Sequence, residues 1–322
     1  MSRTLRISLA VFISLAMLII ARTNSRGQPE HLVHVDGAYR FEMVTVPKIV
    51  ESQSDTIRVT VSGPLDFRRV VFRTGQLRGL PPDQMDSYDR YQMLSVRGKP
   101  GEFFVVVTAR ERGGRFHYYF EVHTPDGLVE GRFLQADGSP FQLRYIGKVP
   151  IAILIGHVFF IFATVFCISM ATIHAIPIIR GGAEIRPMAV YLFWAAVFCF
   201  IGGYPLGIPM NYYAFNGYWE GVPFGTDATD NKTQLLWIYL AFASLSTLGS
   251  LSRGKVGRDS FAPRTLGWIG LGTFLVMLFI YLIPHSIQFS QRFTYAFCYT
   301  WIALVAALYL AGWRRSRSVA RV

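Results

Sequence analysis

The run Val149-Pro150-Ile151-Ala152-Ile153-Leu154-Ile155-Gly156-His157-Val158-Phe159-Phe160-Ile161-Phe162-Ala163-Thr164-Val165-Phe166-Cys167-Ile168 decides the fold. It continues to Ile179 without one Asp, Glu, Lys or Arg. A helix crossing the hydrocarbon core needs ~20 mostly apolar residues, so the run reads as a membrane span over 149–176. Four more stretches of that kind follow at 187–208, 233–251, 265–284 and 293–313. Together they define a five-helix transmembrane domain, 149–313, with a basic tail at 314–322. A shorter apolar run, 7–21, sits behind Arg3 and Arg6. Residues 1–22 therefore read as a signal anchor or a signal peptide. No convincing small-x-small cleavage site and no lipobox cysteine follows, which favours the uncleaved anchor.

Charge orients these spans, because cytoplasmic loops carry the excess of Lys and Arg. With the N-terminus inside, the inside segments hold Arg3, Arg6, Arg180, Arg186, Arg253, Lys255, Arg258, Arg264, Arg314, Arg315, Arg317 and Arg321. The two short outside loops hold only Lys232 and Arg292. Both termini are then cytoplasmic and 23–148 lies outside. The net charge of +12 is explained by this topology, since ten of those charges are in inside segments. It gives no reason to expect nucleic acid as a partner; the expected partners are the lipid bilayer and a membrane or periplasmic protein.

Residues 23–148 read as strands at 40–46, 56–62, 67–74, 91–97, 102–109, 115–122, 128–134 and 141–146. In Thr56-Ile57-Arg58-Val59-Thr60-Val61 polar and apolar residues alternate, as on a sheet with one wet face. Arg112-Gly113-Gly114-Arg115 and Pro125-Asp126-Gly127 are expected to be hairpin turns. About eight short strands with regular turns favour an immunoglobulin-like β-sandwich. The fold class is thus a membrane protein with an all-β extracytoplasmic domain and an α-helical transmembrane bundle.

The chemistry-bearing residues gather near the outer face. His157 lies about 10–12 Å into its span, and His285 follows Pro284 where a later span exits. Between them runs Trp219-Glu220-Gly221-Val222-Pro223-Phe224-Gly225-Thr226-Asp227-Ala228-Thr229-Asp230-Asn231-Lys232. The candidate cluster is His157, Trp219, Glu220, Asp227, Asp230, Asn231 and His285. Imidazole with carboxylate suits a transition metal or acid–base work, and the expected ligands are His157, His285 and Asp227. The structural alternatives are plain: Asp230 or Thr229 makes a good N-cap with Asp227 favourable near the same helix end, and one histidine can be satisfied by a neighbouring group. His157 and His174 are 17 residues apart, ~25 Å along one helix, and nothing answers His174, which argues against a di-haem site. A single haem b would be strained, because only His285 could answer His157 and it lies nearer the surface. His117 and His123 share a strand face and read as solvated. The glycines and prolines of Gly202-Gly203-Tyr204-Pro205 and Gly207-Ile208-Pro209 are expected to break or kink their helix.

Cys167, Cys199 and Cys298 all fall in spans and read as packing residues rather than a disulfide framework. No CxxC, G-x-S-x-G, H-E-x-x-H or P-loop pattern occurs.

The runs from Asn211 to Gly225 and from Asp227 to Thr233, Leu143-Arg144-Tyr145-Ile146-Gly147-Lys148-Val149-Pro150, and Tyr281-Leu282-Ile283-Pro284-His285-Ser286 carry a resemblance. Together they resemble a family of bacterial inner-membrane proteins with an extracytoplasmic β-sandwich and a C-terminal five-helix membrane domain. The resemblance covers about 116–286. It implies an inner-membrane location, a periplasmic 23–148, and His157, His285 and the loop 227–232 as the positions to test; it implies no reaction. The expected function is a binding or accessory subunit whose sandwich engages a partner or ligand. The alternative is a membrane-embedded metal- or haem-dependent protein.

Overall fold

The computed structural model describes residues 2–25, 29–66, 68–75, 81–253, 259–283 and 289–319. Two compact units divide the chain. One comprises 1–26, 149–212 and 218–322; the other comprises 27–148 with the short piece 213–217.

The second unit is all-β. Its strands are β1 His31–Asp36, β2 Tyr39–Val44, β3 Lys48–Val50, β4 Ser54–Ser62, β5 Arg69–Thr74, β6 Asp89–Gln92, β7 Leu94–Ser95, β8 Glu102–Thr108, β9 Arg115–His123, β10 Val129–Phe133 and β11 Phe141–Ile146. One sheet has the order β1-β2-β4-β8-β7 and the other β3-β11-β9-β5-β6, with β10 also beside β9. All pairs are antiparallel except β3 with β11. Alternation explains the layering: Ile57, Val59 and Val61 of β4 are buried while Arg58 and Thr60 are exposed. Their buried faces share one core with Phe72, Phe116, Tyr118, Phe120, Val122, Phe133 and Leu143 from the other sheet. Phe133 sits 5.0 Å from Phe141 and 5.9 Å from Phe120, centroid to centroid.

Three sequence expectations change here. The stretch 91–97 is not one strand: Asp89–Gln92 pairs with β5 and Leu94–Ser95 pairs with β8, so the chain changes sheets at buried Met93. The Arg112–Arg115 turn is not a hairpin, because β8 and β9 belong to different sheets. Strands β1 and β3 were not anticipated, although Asp36-Gly37 is a strong hairpin signal and Gly37 takes φ +59° in the tight β1–β2 turn. The Pro125-Asp126-Gly127 turn does join the paired strands β9 and β10.

The piece 213–217 packs within this unit. Gly147 N–H donates to the Ala214 carbonyl at 2.8 Å, and the Arg144 guanidinium lies 4.0 Å from the Phe215 ring centroid. A Cβ on Gly147 would stand 2.0 Å from the Tyr213 carbonyl oxygen, so only glycine permits that approach.

The helices are α1 Arg3–Ser25, α2 Ile151–Ile179, α3 Arg186–Ile201, a π turn Gly202–Leu206, α4 Gly207–Phe215, α5 Ala228–Ser246, α6 Leu248–Arg253, α7 Pro263–Leu282 and α8 Gln291–Val319, all in the helical unit except residues 213–215 of α4. Among the described residues, five helices are long and apolar enough to cross a membrane: α1, α2, Arg186–Phe215 as one helix, α7 and α8. The chain is accordingly a membrane protein. The membership differs from expectation in two ways. Helix α1 belongs to it, and its Met17 packs into the same core as Val165, Ile168 and Met277. Helix α5, where 233–251 was expected to span, is about 28 Å long but opens with the polar run Thr229–Gln234. About half of α5 is buried, including Asn231, Lys232, Ser244 and Ser246. A helix enclosed by its neighbours needs no lipid-compatible surface.

The glycine–proline run, expected to break or kink its helix, interrupts the α-helical pattern without ending the helix. Pro205 has no N–H to offer Ile201, and the backbone absorbs this as a π turn before continuing to Phe215. The three cysteines are free and buried.

Candidate functional site

Trp219 to Asn231 forms a compact loop running onto the first turn of α5. Asp227 is the N-cap of that helix: its Oδ1 accepts the N–H groups of Thr229 at 2.8 Å and Asp230 at 3.0 Å. The cap is therefore neither Asp230 nor Thr229. Asp230, one turn in, is released to reach back across the loop, where its Oδ2 accepts Glu220 N–H at 2.7 Å. Asn231 does the same one residue on, its Oδ1 accepting Val222 N–H at 2.8 Å. Asp227 N–H in turn donates to the Glu220 carbonyl at 2.8 Å. The peptide bond between Val222 and Pro223 is cis, and Val222 is buried in the helical core with Leu235 and Ile280. Trp219 stacks on Tyr204 of the π turn at 5.1 Å and 20°, with its indole N–H directed to the Val222 carbonyl at 3.4 Å. Two carboxylates, one amide and one indole thus hold the loop's backbone. Glu220 is exposed.

His157 is held separately. Its Nδ1 lies 2.9 Å from the Gly202 carbonyl at the start of the π turn. A carbonyl only accepts, so Nδ1 carries the proton and the neutral ring keeps its lone pair at Nε2. A Cβ on Gly207 would stand 3.2 Å from the same Gly202 carbonyl oxygen that His157 engages. His285 lies outside the described residues. Among the described residues, no group of three or more His, Cys, Asp or Glu side chains is arranged to hold a metal. Of the expected ligands, Asp227 spends Oδ1 on the helix cap and His157 retains one free nitrogen.

The β unit contains a polar cluster that sequence reasoning passed over. Glu121 is fully buried on β9; its Oε2 meets Arg73 of β5 at 3.1 Å and His123 Nε2 at 2.8 Å, and its Oε1 stands 3.2 Å from Arg132 of β10. His123 is only 5% exposed, so it is not solvated. A 3₁₀ turn, Pro82–Ser87, shields this sheet face: Arg73 donates to the Asp86 carbonyl at 3.0 Å and Tyr119 to the Met85 carbonyl at 3.4 Å. Burial pushes the Tyr119 phenol up to about 12, with Glu121 adding to the rise. His117, on the same face, is held below the usual imidazole range by burial and by Arg115. The signal was present as period-two spacing of residues 117, 119, 121 and 123, but nothing in it indicated what covers that face.

Two cavities stand out. One, of about 600 Å³, is a cleft on the outer face of the first sheet, lined by β2, β4 and the chain leading into β3. The other, of about 90 Å³, lies among α5, α7 and α8. Comparison of the chain with models of known protein families and with the curated proteins gives no match.

Proposed function

We propose that the protein is a membrane-anchored binding or accessory subunit of the bacterial inner membrane, whose periplasmic β unit engages a partner or ligand. The observation that carries this reading is the 600 Å³ cleft, where His31, Glu42, Lys48, Asp55 and Arg58 surround exposed Val44. An apolar centre inside a polar rim is the layout of a recognition surface. Against an embedded catalytic centre stands the employment of Asp227, Asp230 and Asn231 in loop bonds. The immunoglobulin-like reading of the two sheets, the cytoplasmic placement of both termini and the kinship with the inner-membrane family belong to the same proposal. The arginine distribution supports the topology, which requires α5 to cross.

Site-specific photocrosslinking in whole membranes tests it, with benzoylphenylalanine at Val44 or Thr60 and at exposed Leu128 as the off-cleft control. The expected result is a discrete adduct from the cleft positions that disappears in Arg58→Glu. Equal labelling from Leu128, or no adduct at all, overturns the reading.

One observation favours a second reading. Nδ1 donation to a carbonyl is the arrangement that orients a histidine for metal ligation through Nε2. Metal analysis and an absorption spectrum on tag-metal-free protein, with His157→Ala alongside, test that reading; metal-free, folded protein overturns it.

A further inference from the structure

The cleft of the β unit is a fork between two strands. β2 and β4 pair at Arg40 with Ser62, Phe41 with Val61 and Glu42 with Thr60, and there their ladder stops. β4 continues to Ser54, still paired with β8 on its other side. The cause lies in β2. Past Val44 the chain leaves this sheet for the other, where the Pro47 carbonyl accepts Arg144 N–H at 3.1 Å and Lys48–Val50 joins β11. The cleft opens where the strands part, lined by Val44 from β2 and by Thr56 and Arg58 from β4.

Register fixes which way the backbone points. Val61 N–H donates to the Gly101 carbonyl at 2.8 Å, and Ala109 N–H to the Gln53 carbonyl at 2.9 Å, both across the pairing of β4 with β8. Bonded pairs in an antiparallel ladder fall at every second residue. The odd-numbered residues of β4 therefore turn N–H and C=O towards β8, and Thr56, Arg58 and Thr60 turn theirs the other way. Thr60 meets Glu42 there, whereas Thr56 and Arg58 meet the cleft. Val44 faces them, because Thr45 N–H bonds the Glu30 carbonyl on the β1 side and the direction alternates. Among the described residues, no backbone bond reaches Arg58 N–H. Thr56 N–H is taken by the Asp55 side chain, Oδ1 at 2.7 Å, which stands in for a missing strand.

We propose that the cleft receives an extended segment of a partner polypeptide, added to β4 as a strand along Ser54–Arg58. Its carbonyls accept from Arg58 N–H and, in place of Asp55, from Thr56 N–H. The inference rests on the reading of the cleft as a recognition surface and specifies what is recognised. Unpaired backbone groups on a strand are a template for another strand, and in such complexes main-chain bonds give affinity while alternate side chains give specificity. The two donors recur at about 6.8 Å, the two-residue repeat of an extended chain. This edge differs from an open one in facing a second strand across a cleft of about 600 Å³. Exposed Val44 offers an apolar contact, and Glu42 and Asp55 offset Lys48 and Arg58, so no strongly charged segment is selected.

Photocrosslinking from Val44 in whole membranes supplies the assay, in the parent chain and with Thr56→Pro or Thr56→Ala. Proline removes an N–H that faces the cleft and breaks no bond to β8, whereas alanine removes the side chain alone. The Val44 adduct should fall at least tenfold with Thr56→Pro and stay within twofold of the parent with Thr56→Ala. Hydrogen exchange on the purified adduct needs no substitution in β4. There the Arg58 amide should exchange at least tenfold more slowly than in the uncrosslinked chain, while the Ile57 amide, already bonded to β8, should not change. Full adduct in Thr56→Pro, equal loss in both Thr56 variants, or an Arg58 amide unchanged in the adduct overturns the proposal and leaves the cleft a binding surface of another kind. Absence of any Val44 adduct in the parent chain overturns the reading of the cleft itself.

Discussion

In the β unit the largest buried side chains are Tyr118, Tyr119, Phe41, Phe116 and Phe120. In the helical unit close packing falls on Ala171, Ala175, Gly267 and Gly270, while Ile155, Phe159, Leu275 and Phe279 are exposed. The first pattern is what water selects, because burying aromatic area is the main favourable term. The second is what lipid selects: acyl chains are as apolar as leucine, so association rests on close backbone approach and on hydroxyls satisfied within the helix. Thr164, Ser169, Thr172 and Thr247 each donate to the carbonyl four residues earlier. One chain therefore carries two opposite rules for what is inside, and opposite kinds of substitution should break the two units.

The largest effect is expected from enlarging a glycine. A Cβ on Gly267 would stand 3.0 Å from the Ile179 nitrogen and 3.2 Å from the Ala175 carbonyl oxygen, and backbone atoms of α2 have nowhere to move. Gly267→Val should abolish monodisperse protein in mild detergent, as read by size-exclusion chromatography. A normal elution profile and melting temperature would show that α2 and α7 do not meet through this contact.

Truncation should be the damaging change in the β unit. Phe120→Ala, at a fully buried position, should cost about 3–5 kcal/mol, a large share of a domain's total stability. The same change at lipid-exposed Phe159 should cost under ~1 kcal/mol. Pulse proteolysis of the two variants across a urea series measures both. Comparable losses would mean that the helical unit is held together as a soluble core is, and the contrast drawn here would fail.

The contrast also explains what could be read in advance. Apolar length located α2, α7 and α8, and alternation located β4, β9 and β11, because each of those signals is local. Helix α5 was drawn too late, starting at 233, because Asp230 and Lys232 look like loop residues until their partners in 220–222 and at Ile283 are known. The site was legible only as a neighbourhood. The residue types in 219–232 pointed to one place, but whether Asp227 caps a helix or holds a ligand depends on where α5 begins. Glu121 and His123 share β9 at period-two spacing, but Arg73 comes from β5, 48 residues away, and no spacing rule joins it to them.

A smaller effect separates capping from chemistry at the loop. Asp227→Ala removes the acceptor for two N–H groups and should cost about 1 kcal/mol. Amide exchange at Thr229 and Asp230 should quicken several-fold, with secondary structure retained. Unchanged exchange would free Asp227 for another task and reopen the ligand reading.

The smallest effect concerns acid. Fifteen of the twenty Asp and Glu residues lie in 22–148, so acid sensitivity should belong to the β unit. Arg68 reaches Glu130 through two bonds of 3.0 and 3.1 Å, and Tyr39 donates to the same carboxylate. Arg68 first, then Tyr39, holds the Glu130 carboxyl below its ordinary range. Lys99 and then Arg58 do the same for Glu102. A carboxyl depressed in the folded state contributes stability that is complete above its unfolded pKa, about 4.3. That contribution is lost as pH falls through the lower folded value. The β unit should therefore weaken below about pH 4.3, and Glu130→Gln should reduce the slope there while changing little at the acid limit. Both carboxylates are solvent-accessible, so salt should shrink the difference. A Glu130→Gln variant with the wild-type acid slope would show that the Arg68 pair contributes equally in the folded and the unfolded chain.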